Sequence, residues 1–402
     1  MSTKTSLEPL VFKVRQSSSS PSAPEAHEKI GLRVEVRALE GMQKEAMVSQ
    51  LGSPGSAWRL VSDEGPYLNG TDLAPFPLAF FTAGLQFCFM SQLLRLAKAQ
   101  GIEIGSLEVT QDNWYTMTGS ALRGDMTGGA KPADVSVKIG SPAPKDVIAK
   151  LVCMAEECSP SHAVMRDILA NAFSLTLNGR QLPVTDVKQS QAGEIQDPKS
   201  RLESIEPDSE AGFLPEIITK VATAEKVYGV EGGVASSLQP EQKRTLHVRG
   251  EARVLDGFLM ETVIQLFSPL GSSFRFLSDS SSEEGGKESA PPALAYLSAG
   301  VGFCYMTQLG RYAHITKQNI KSLRIVQDNI FKVKGSATAE PVDTHVFVEA
   351  DEPDEAARKL VRMGEQTCFL HAAMRGSYRS NLRAELNGEE LPLPDGLSSD
   401  SK

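Results

Sequence analysis

The 402-residue sequence contains an internal duplication, and this repeat constrains the possible folds more than any other feature. When the sequence is shifted by 216 positions, about ninety residues of the first half align with the second half without a gap. The segment PFPLAFFTAGLQFCFMSQL (75–93) aligns in this way with PPALAYLSAGVGFCYMTQL (291–309). A shift of 209 positions then continues the alignment, for example His162 onto His371, to the end of both copies. The chain therefore consists of one structural unit used twice.

The duplication divides the chain into an N-terminal extension, a first repeat, a linker, a second repeat and a tail. These segments span residues 1–28, 29–185, 186–243, 244–393 and 394–402, respectively. The two terminal segments are rich in Ser, Pro, Asp and Lys, and we expect them to be mobile. Within the linker, the amphipathic stretch 213–229 predicts a short helix that lies across the two halves.

Each repeat has the pattern of an α+β domain. Segments that alternate apolar and polar residues predict strands before and after a helix at 78–100, which is apolar on nearly every side. A second predicted helix covers 144–170, and the repeat ends with a strand and an Asn-Gly turn. A helix that is apolar on all sides must be buried, and one small domain cannot cover it alone. We therefore expect the two repeats to pack together through the helices that carry Cys88 and Cys304.

Composition excludes several classes of protein. The chain has 41 Lys and Arg against 50 Asp and Glu, a net charge of −9, without the basic stripe that is typical of nucleic-acid binding. The longest apolar stretch, 78–90, is shorter than the roughly 20 residues that span a bilayer, so no membrane partner is expected. The N-terminus lacks the apolar core of a secretory signal, which predicts a cytoplasmic protein.

The five cysteines are too few for a disulfide scaffold in a chain of this length. They form no C-x-x-C pair, and the six histidines form no H-E-x-x-H motif, so neither a metal site nor a bound cofactor is expected. One cysteine of each repeat, Cys88 or Cys304, lies near the middle of the apolar helix. Each could be a reactive thiol or a small hydrophobic side chain in the core.

Four motifs follow one another in a fixed order. They are Ala83-Gly84 with Cys88 and Ala299-Gly300 with Cys304, then Ser106-Leu107 and Ser322-Leu323, then Cys368-Phe369-Leu370-His371, then a terminal strand ending in Leu-Asn-Gly. In this order and spacing the chain resembles the OsmC/Ohr family of thiol-dependent hydroperoxide reductases and their OsmC-like relatives. Members of that family are intertwined homodimers with active sites at the dimer interface. The resemblance therefore implies that the two repeats form a pseudo-dimer within one chain.

The resemblance also implies roles for individual residues. Cys304 would be the peroxidatic cysteine and Cys368 the resolving cysteine, with Cys88 and Cys158 as their counterparts in the first repeat. The family lowers the pKa of the first thiol with an arginine. Arg59 and Arg275, on the strands before the apolar helices, are the candidates, and Arg37 and Arg253 are the alternatives. A small-molecule hydroperoxide would be the substrate and a dithiol the reductant.

Two departures from the family pattern leave a second hypothesis open. The family has a glutamate near the start of the central helix, but residues 76–79 and 292–295 contain no carboxylate. In the first repeat, Ser159 aligns with Cys368, whereas Cys158 precedes that position by one residue, which is a rotation of ~100° on a helix. The alternative to an enzyme is therefore a non-catalytic OsmC-like binding or scaffold module.

Overall fold

The computed structural model describes residues 7–15, 28–52, 57–225, 242–281 and 284–394. The strands in these ranges are β1 (Val11–Lys13), β2 (Lys29–Ala38), β3 (Lys44–Gln50), β4 (Ala57–Ser62), β5 (Ser106–Gly119), β6 (Thr127–Ala130), β7 (Asp134–Gly140), β8 (Ala172–Leu177), β9 (Arg180–Leu182), β10 (Lys188–Gln189), β11 (Ile218–Ala222), β12 (Gln242–Asp256), β13 (Leu259–Ser268), β14 (Leu270–Ser278), β15 (Ile320–Lys332), β16 (Thr338–Ala339), β17 (Asp343–Ala350), β18 (Asn381–Leu386) and β19 (Glu389–Leu391). The helices are α1 (Pro77–Ala99), α2 (Lys145–Glu157), α3 (Pro160–Arg166), α4 (Lys199–Glu203), α5 (Ala293–Ile315), α6 (Asp354–Thr367) and α7 (Phe369–Arg375).

The strands form two mixed sheets, and each sheet contains strands of both repeats. The first sheet has the order β1-β4-β3-β2-β15-β17-β8-β10, and the second has the order β11-β14-β13-β12-β5-β7-β18-β19. In the first sheet, β2 of the first repeat pairs antiparallel with β15 of the second, with Leu32 opposite Asn329. In the second sheet, β12 and β5 make the equivalent antiparallel pair. The repeats are therefore intertwined, which confirms the predicted α+β pseudo-dimer.

The long helices α1 and α5 pack against each other in the core, as the sequence predicts. Their backbones approach closely at a glycine of each helix, because a Cβ atom on Gly84 would lie 2.6 Å from the Leu297 backbone nitrogen. The same construction on Gly300 would place a Cβ atom 2.7 Å from the Phe81 nitrogen. Helix α1 is long and apolar enough to cross a membrane, but 89% of its most apolar window is buried within the protein. It is thus the core helix of this fold.

Two predicted helices differ from the observed structure. The helix predicted at 144–170 is divided into α2 and α3, because Ser159 has an extended backbone and Pro160 starts a new helix. The described part of the stretch 213–229 contains β11 rather than a helix, and β11 pairs with β14 at a sheet edge. Its β-branched residues Ile218, Thr219 and Val221 favour a strand once that edge supplies hydrogen-bond partners.

The terminal segments that were expected to be mobile fall mainly outside the described residues. Within the N-terminal segment, however, Val11–Lys13 forms β1, which pairs antiparallel with β4 at the edge of the first sheet.

Candidate active site

Cys304 and Cys368 lie next to each other in the core. Cys304 is in the middle of α5, and Cys368 is the residue that separates α6 from α7. The two sulfur atoms are 3.5 Å apart, and both side chains are almost completely buried. A disulfide bond is about 2 Å long, so a small movement would bring the two sulfur atoms to bonding distance.

The break between α6 and α7 directs Cys368 toward Cys304. Cys368 has an extended backbone (φ −69°, ψ 121°) between two helical segments. Strand β6 lies directly against this break, where a Cβ atom on Gly128 would be only 2.8 Å from the Thr367 carbonyl oxygen. A glycine at position 128 therefore permits the close approach that fixes the position of Cys368.

The hydrogen bond between the two thiols distinguishes them. Cys368 donates its proton to the sulfur of Cys304. Burial, followed by the hydrogen bond to Cys304, raises the pKa of Cys368 well above its ordinary value. Cys368 thus remains a protonated thiol in the resting protein, whereas Cys304 is the acceptor.

A second contact holds the helix that follows Cys368. His371, which is fully buried, has its Nδ1 atom against the Glu365 carboxylate of α6. Burial alone would raise the pKa of Glu365, but His371 and Arg375 hold it below its ordinary value. This contact joins α6 to α7, the two helices on either side of Cys368.

A buried cluster of polar side chains from the first repeat completes the site around Cys304. The Glu64 carboxylate accepts hydrogen bonds from the Tyr67 hydroxyl (3.0 Å) and from the Thr307 hydroxyl on α5 (2.9 Å). The Lys44 ammonium lies 3.9 Å from Glu64, and its side chain is only 2% exposed. Glu64, Tyr67, Thr307 and Cys304 line one small cavity of about 30 Å³, which is enough for about one water-sized group.

Cationic groups lie within electrostatic range of Cys304. Burial lowers the pKa of Lys44, while the charges of Glu64, Asp63 and Cys304 act in the opposite direction. Burial also lowers the pKa of Arg311, one turn of α5 after Thr307, and its charge likewise interacts with Glu64 and Cys304. A positive charge favours a thiolate, so this environment differs from a purely apolar helix core.

The arginines predicted from the sequence are located elsewhere. Arg59 lies on the opposite face of the first sheet from Lys44, where its Nε binds Glu45 at 3.0 Å and its Nη1 binds the Pro9 carbonyl oxygen at 2.6 Å. Arg275, which is partly exposed, donates to the Glu216 carbonyl oxygen at 3.2 Å. The structure brings neither arginine to a cysteine, because strand alternation turns both side chains away from the helices.

The sequence carried a weak signal for the residues that do surround Cys304. Lys44 alternates with Ala46 and Val48, two buried residues of the same strand, which places a lysine on the core face. The triplet Ser62-Asp63-Glu64 aligns with Ser278-Asp279-Ser280, so Glu64 is the one residue of this triplet that differs between the copies.

The corresponding site in the first repeat has no second cysteine beside Cys88. Ser159 occupies the position of Cys368, and its hydroxyl donates to the Cys88 sulfur at 3.3 Å and contacts His162 Nδ1 at 2.9 Å. Burial raises the pKa of Cys88, and burial lowers the pKa of His162 to about 3. Both groups are therefore neutral at ordinary pH.

Cys158, the predicted partner of Cys88, is the residue at the C-terminal end of α2 and is only partly buried. The structure brings Ser159 to Cys88 instead, as expected for a cysteine displaced by one residue along a helix. Across the described ranges, no three His, Cys, Asp or Glu side chains are close enough together to hold a metal ion.

The sequence model of the OsmC-like protein family matches this chain twice, at residues 70–172 and 285–383, which together make up half of the chain. The chain belongs to the OsmC-like family. Each matched segment contains one of the long core helices, so this OsmC-like chain contains two copies of the family domain.

Among solved structures, an OsmC-like hydroperoxide resistance protein from Jannaschia sp. CCS1 is 18% identical to this OsmC-like chain. The match covers 36% of this chain and 96% of that protein, with a TM-score of 0.24. No curated protein matches the sequence.

Proposed function

We propose that this protein is a thiol-dependent hydroperoxide reductase whose working site is the Cys304–Cys368 pair. The observation that carries this proposal is the 3.5 Å contact between the two buried sulfur atoms. A protonated Cys368 that donates to Cys304 suits a resolving cysteine beside a peroxidatic one.

The reaction proceeds in three balanced steps. The Cys304 thiolate attacks the terminal oxygen of the hydroperoxide, the O–O bond breaks, and the leaving alkoxide takes up a proton to become an alcohol. Cys304 is then a sulfenic acid, and the Cys368 thiol attacks its sulfur to form a disulfide and release water. An external dithiol finally reduces the disulfide and is itself oxidised. Such reductants belong to the cytoplasm, where we place the protein.

The charged cluster from the first repeat supports the first step. Lys44 and Arg311 supply positive charge near the Cys304 sulfur, while Glu64 holds Thr307 and balances Lys44. In this proposal they take the place of the strand arginine that the family resemblance implies, and of the helix-start glutamate that residues 76–79 and 292–295 lack.

Peroxide consumption by the full chain with cumene hydroperoxide and dithiothreitol tests the proposal. Cys304→Ser should abolish most turnover, and Cys368→Ser should leave one round of oxidation that stops at the sulfenic acid. Cys88→Ser should retain most turnover, because Cys88 has Ser159 beside it rather than a second thiol and so lacks a resolving partner. Cys153→Ser is a control for the substitution itself, since Cys153 lies on α2 with an intermediate exposure.

Mass spectrometry of the unreduced protein provides a second measurement. Hydroperoxide below one equivalent should produce a Cys304–Cys368 linkage before any linkage between Cys88 and Cys158. A folded protein that shows neither oxidation nor turnover would contradict the proposal and favour a non-catalytic binding or scaffold module.

A further inference from the structure

The two copies of the site differ in the space beside the helix cysteine. The cavity that Cys88 lines has a volume of about 360 Å³, whereas the cavity at Cys304 has a volume of about 30 Å³. Equivalent positions of the duplication line both, since Gln92 and Leu294 border the first cavity and Gln308 and Leu78 border the second. The larger space is therefore the same site in a different form.

Shorter side chains in the Cys88 copy account for the larger volume. The exchanged pairs, with the residue at the Cys88 cavity first, are Ser91 and Thr307, Ser280 and Glu64, Pro160 and Phe369, and Pro292 and Phe76. Every one of these exchanges removes side-chain volume on the Cys88 side. A cavity of this size falls within the range of about 300–1,000 Å³ that is typical of small-molecule sites.

The wall of the cavity combines an apolar surface with neutral hydrogen-bonding groups. Trp58, Leu294 and Val333 contribute apolar side chains, and Ser91 and Gln92 contribute a hydroxyl and an amide. Cys88 adds a neutral thiol, because burial raises its pKa.

The charges around the cavity are already paired. Arg95 binds Glu284 at 2.8 Å, and Glu288 is bound by Lys13 at 3.4 Å. A charged ligand would have to compete with these ion pairs and lose its own hydration, whereas an uncharged ligand would not.

We propose that the Cys88 cavity is a binding site for a neutral amphipathic small molecule, with an alkyl or aryl body and a single hydroxyl-type head group. The body packs against Trp58 and the neighbouring apolar side chains, and the head group binds to the Ser91 and Gln92 side chains. The duplication has in this way separated a binding site from the cysteine pair of the other copy.

Binding of 1-decanol to the full-length protein tests this proposal. The fluorescent neutral probe N-phenyl-1-naphthylamine should bind with energy transfer from tryptophan, since Trp58 lines the cavity, and 1-decanol should displace it. Decanoate has an alkyl chain of similar length with a negative charge, and decyltrimethylammonium has one with a positive charge. Both should displace the probe about tenfold or more less effectively than 1-decanol. Equal competition by either ion would overturn the assignment of a neutral ligand.

A pair of variants on one helix locates the site. Gln92→Phe places a ring in the cavity and should weaken the binding of probe and decanol about tenfold or more. Gln100→Phe, at the exposed residue directly after the same helix, should leave both affinities unchanged. Unchanged binding in the Gln92 variant, or no binding to the unmodified protein, would overturn the proposal. Because the readout is affinity, it is independent of peroxide turnover.

Discussion

Lys44 is buried within electrostatic range of Cys304, because β3 directs alternate side chains toward α5. Transfer of an ammonium group from water to the core is unfavourable unless partners compensate for it, and here Lys44 donates to the Met42 carbonyl oxygen at 2.7 Å and has the Glu64 carboxylate at 3.9 Å. In the other copy of the duplication the position is Met260, which needs no such compensation. A costly buried charge that is present in only one copy, within electrostatic range of Cys304, indicates a role at that cysteine.

Substitution of Lys44 by Met, the residue of the other copy, should therefore slow the chemistry of Cys304. Loss of one nearby positive charge should reduce alkylation of Cys304 by iodoacetamide about tenfold or more. The rate is measured by mass spectrometry at several times after mixing. Lys138→Met, at an exposed position on β7, is the control. An unchanged alkylation rate in a folded Lys44→Met protein would show that Lys44 has no role in activating the thiol.

Glu35 makes the stability of the fold sensitive to pH. Burial raises its pKa to about 7, although Arg201 of the linker forms an ion pair with it and acts in the opposite direction. When folding raises the pKa of a carboxyl group, its contribution to stability is greatest at a pH below its pKa in the unfolded chain, which is about 4.5. This contribution is lost as the pH rises through 7.

Glu35→Gln should accordingly behave differently at two pH values. Near pH 5 the folded wild-type protein holds a protonated Glu35, and the variant should have a similar free energy of unfolding. At pH 8 the variant should be more stable than wild type by about 2–3 kcal/mol, because an amide does not ionise. Urea denaturation at both pH values measures this difference.

The duplication supplies the control for this prediction. Glu251→Gln changes the equivalent residue of the second repeat, which is exposed. The change in the free energy of unfolding that this substitution causes, relative to wild type, should be the same at pH 5 and at pH 8. A pH-independent effect of Glu35→Gln would mean that the ion pair with Arg201 dominates instead.

At the scale of elements, the break between α6 and α7 determines whether the two thiols can meet. Gly128→Ala would place a Cβ atom against the Thr367 carbonyl and push Cys368 away from Cys304. We expect the disulfide between Cys304 and Cys368 to form more slowly after a single addition of hydroperoxide. Mass spectrometry at successive times measures this rate. Gly310→Ala on α5 is the control, because a Cβ atom there meets nothing within 4 Å. Equal rates in both variants would contradict the proposed role of the junction.

Sequence patterns predicted the elements whose own residues determine their structure. They missed the elements whose structure depends on contacts with other parts of the chain. Helix α1 was predicted to within one residue at each end, because its apolar residues extend on all sides. The break at Ser159 was missed although Pro160 follows it, since the flanking apolar spacing continues as if one helix were present. Strand β11 was missed because only the edge of β14 makes that segment extended.

The intertwining of the repeats governs the behaviour of the whole molecule. Expression of residues 244–393 alone removes β2, which pairs with β15, and β8, which pairs with β17, from the first sheet. We expect this half to aggregate or to form a homodimer that restores the missing strands, as measured by light scattering. Coexpression of residues 7–225 and 242–394 should instead yield a one-to-one complex. A stable folded monomer of the second half would contradict the pseudo-dimer.

Intertwining also explains how much of the candidate site the sequence could reveal. Cys304 and Cys368 lie in one copy and in the order of known motifs, so their proximity could be expected. Glu64 and Thr307 are 243 residues apart and meet only because the copies exchange strands. Spacing within a repeat contains no information about such a contact, which is why Lys44 and Glu64 were not predicted.

The pairing of β2 with β15 also affects the synthesis of the protein. The ribosome must add roughly 300 residues between these strands, which takes roughly 15–60 s at about 5–20 residues per second. During that interval the newly made first repeat has an unpaired strand edge and an uncovered apolar helix, the features that chaperones recognise. The nascent chain therefore depends on protection from aggregation until its second half emerges.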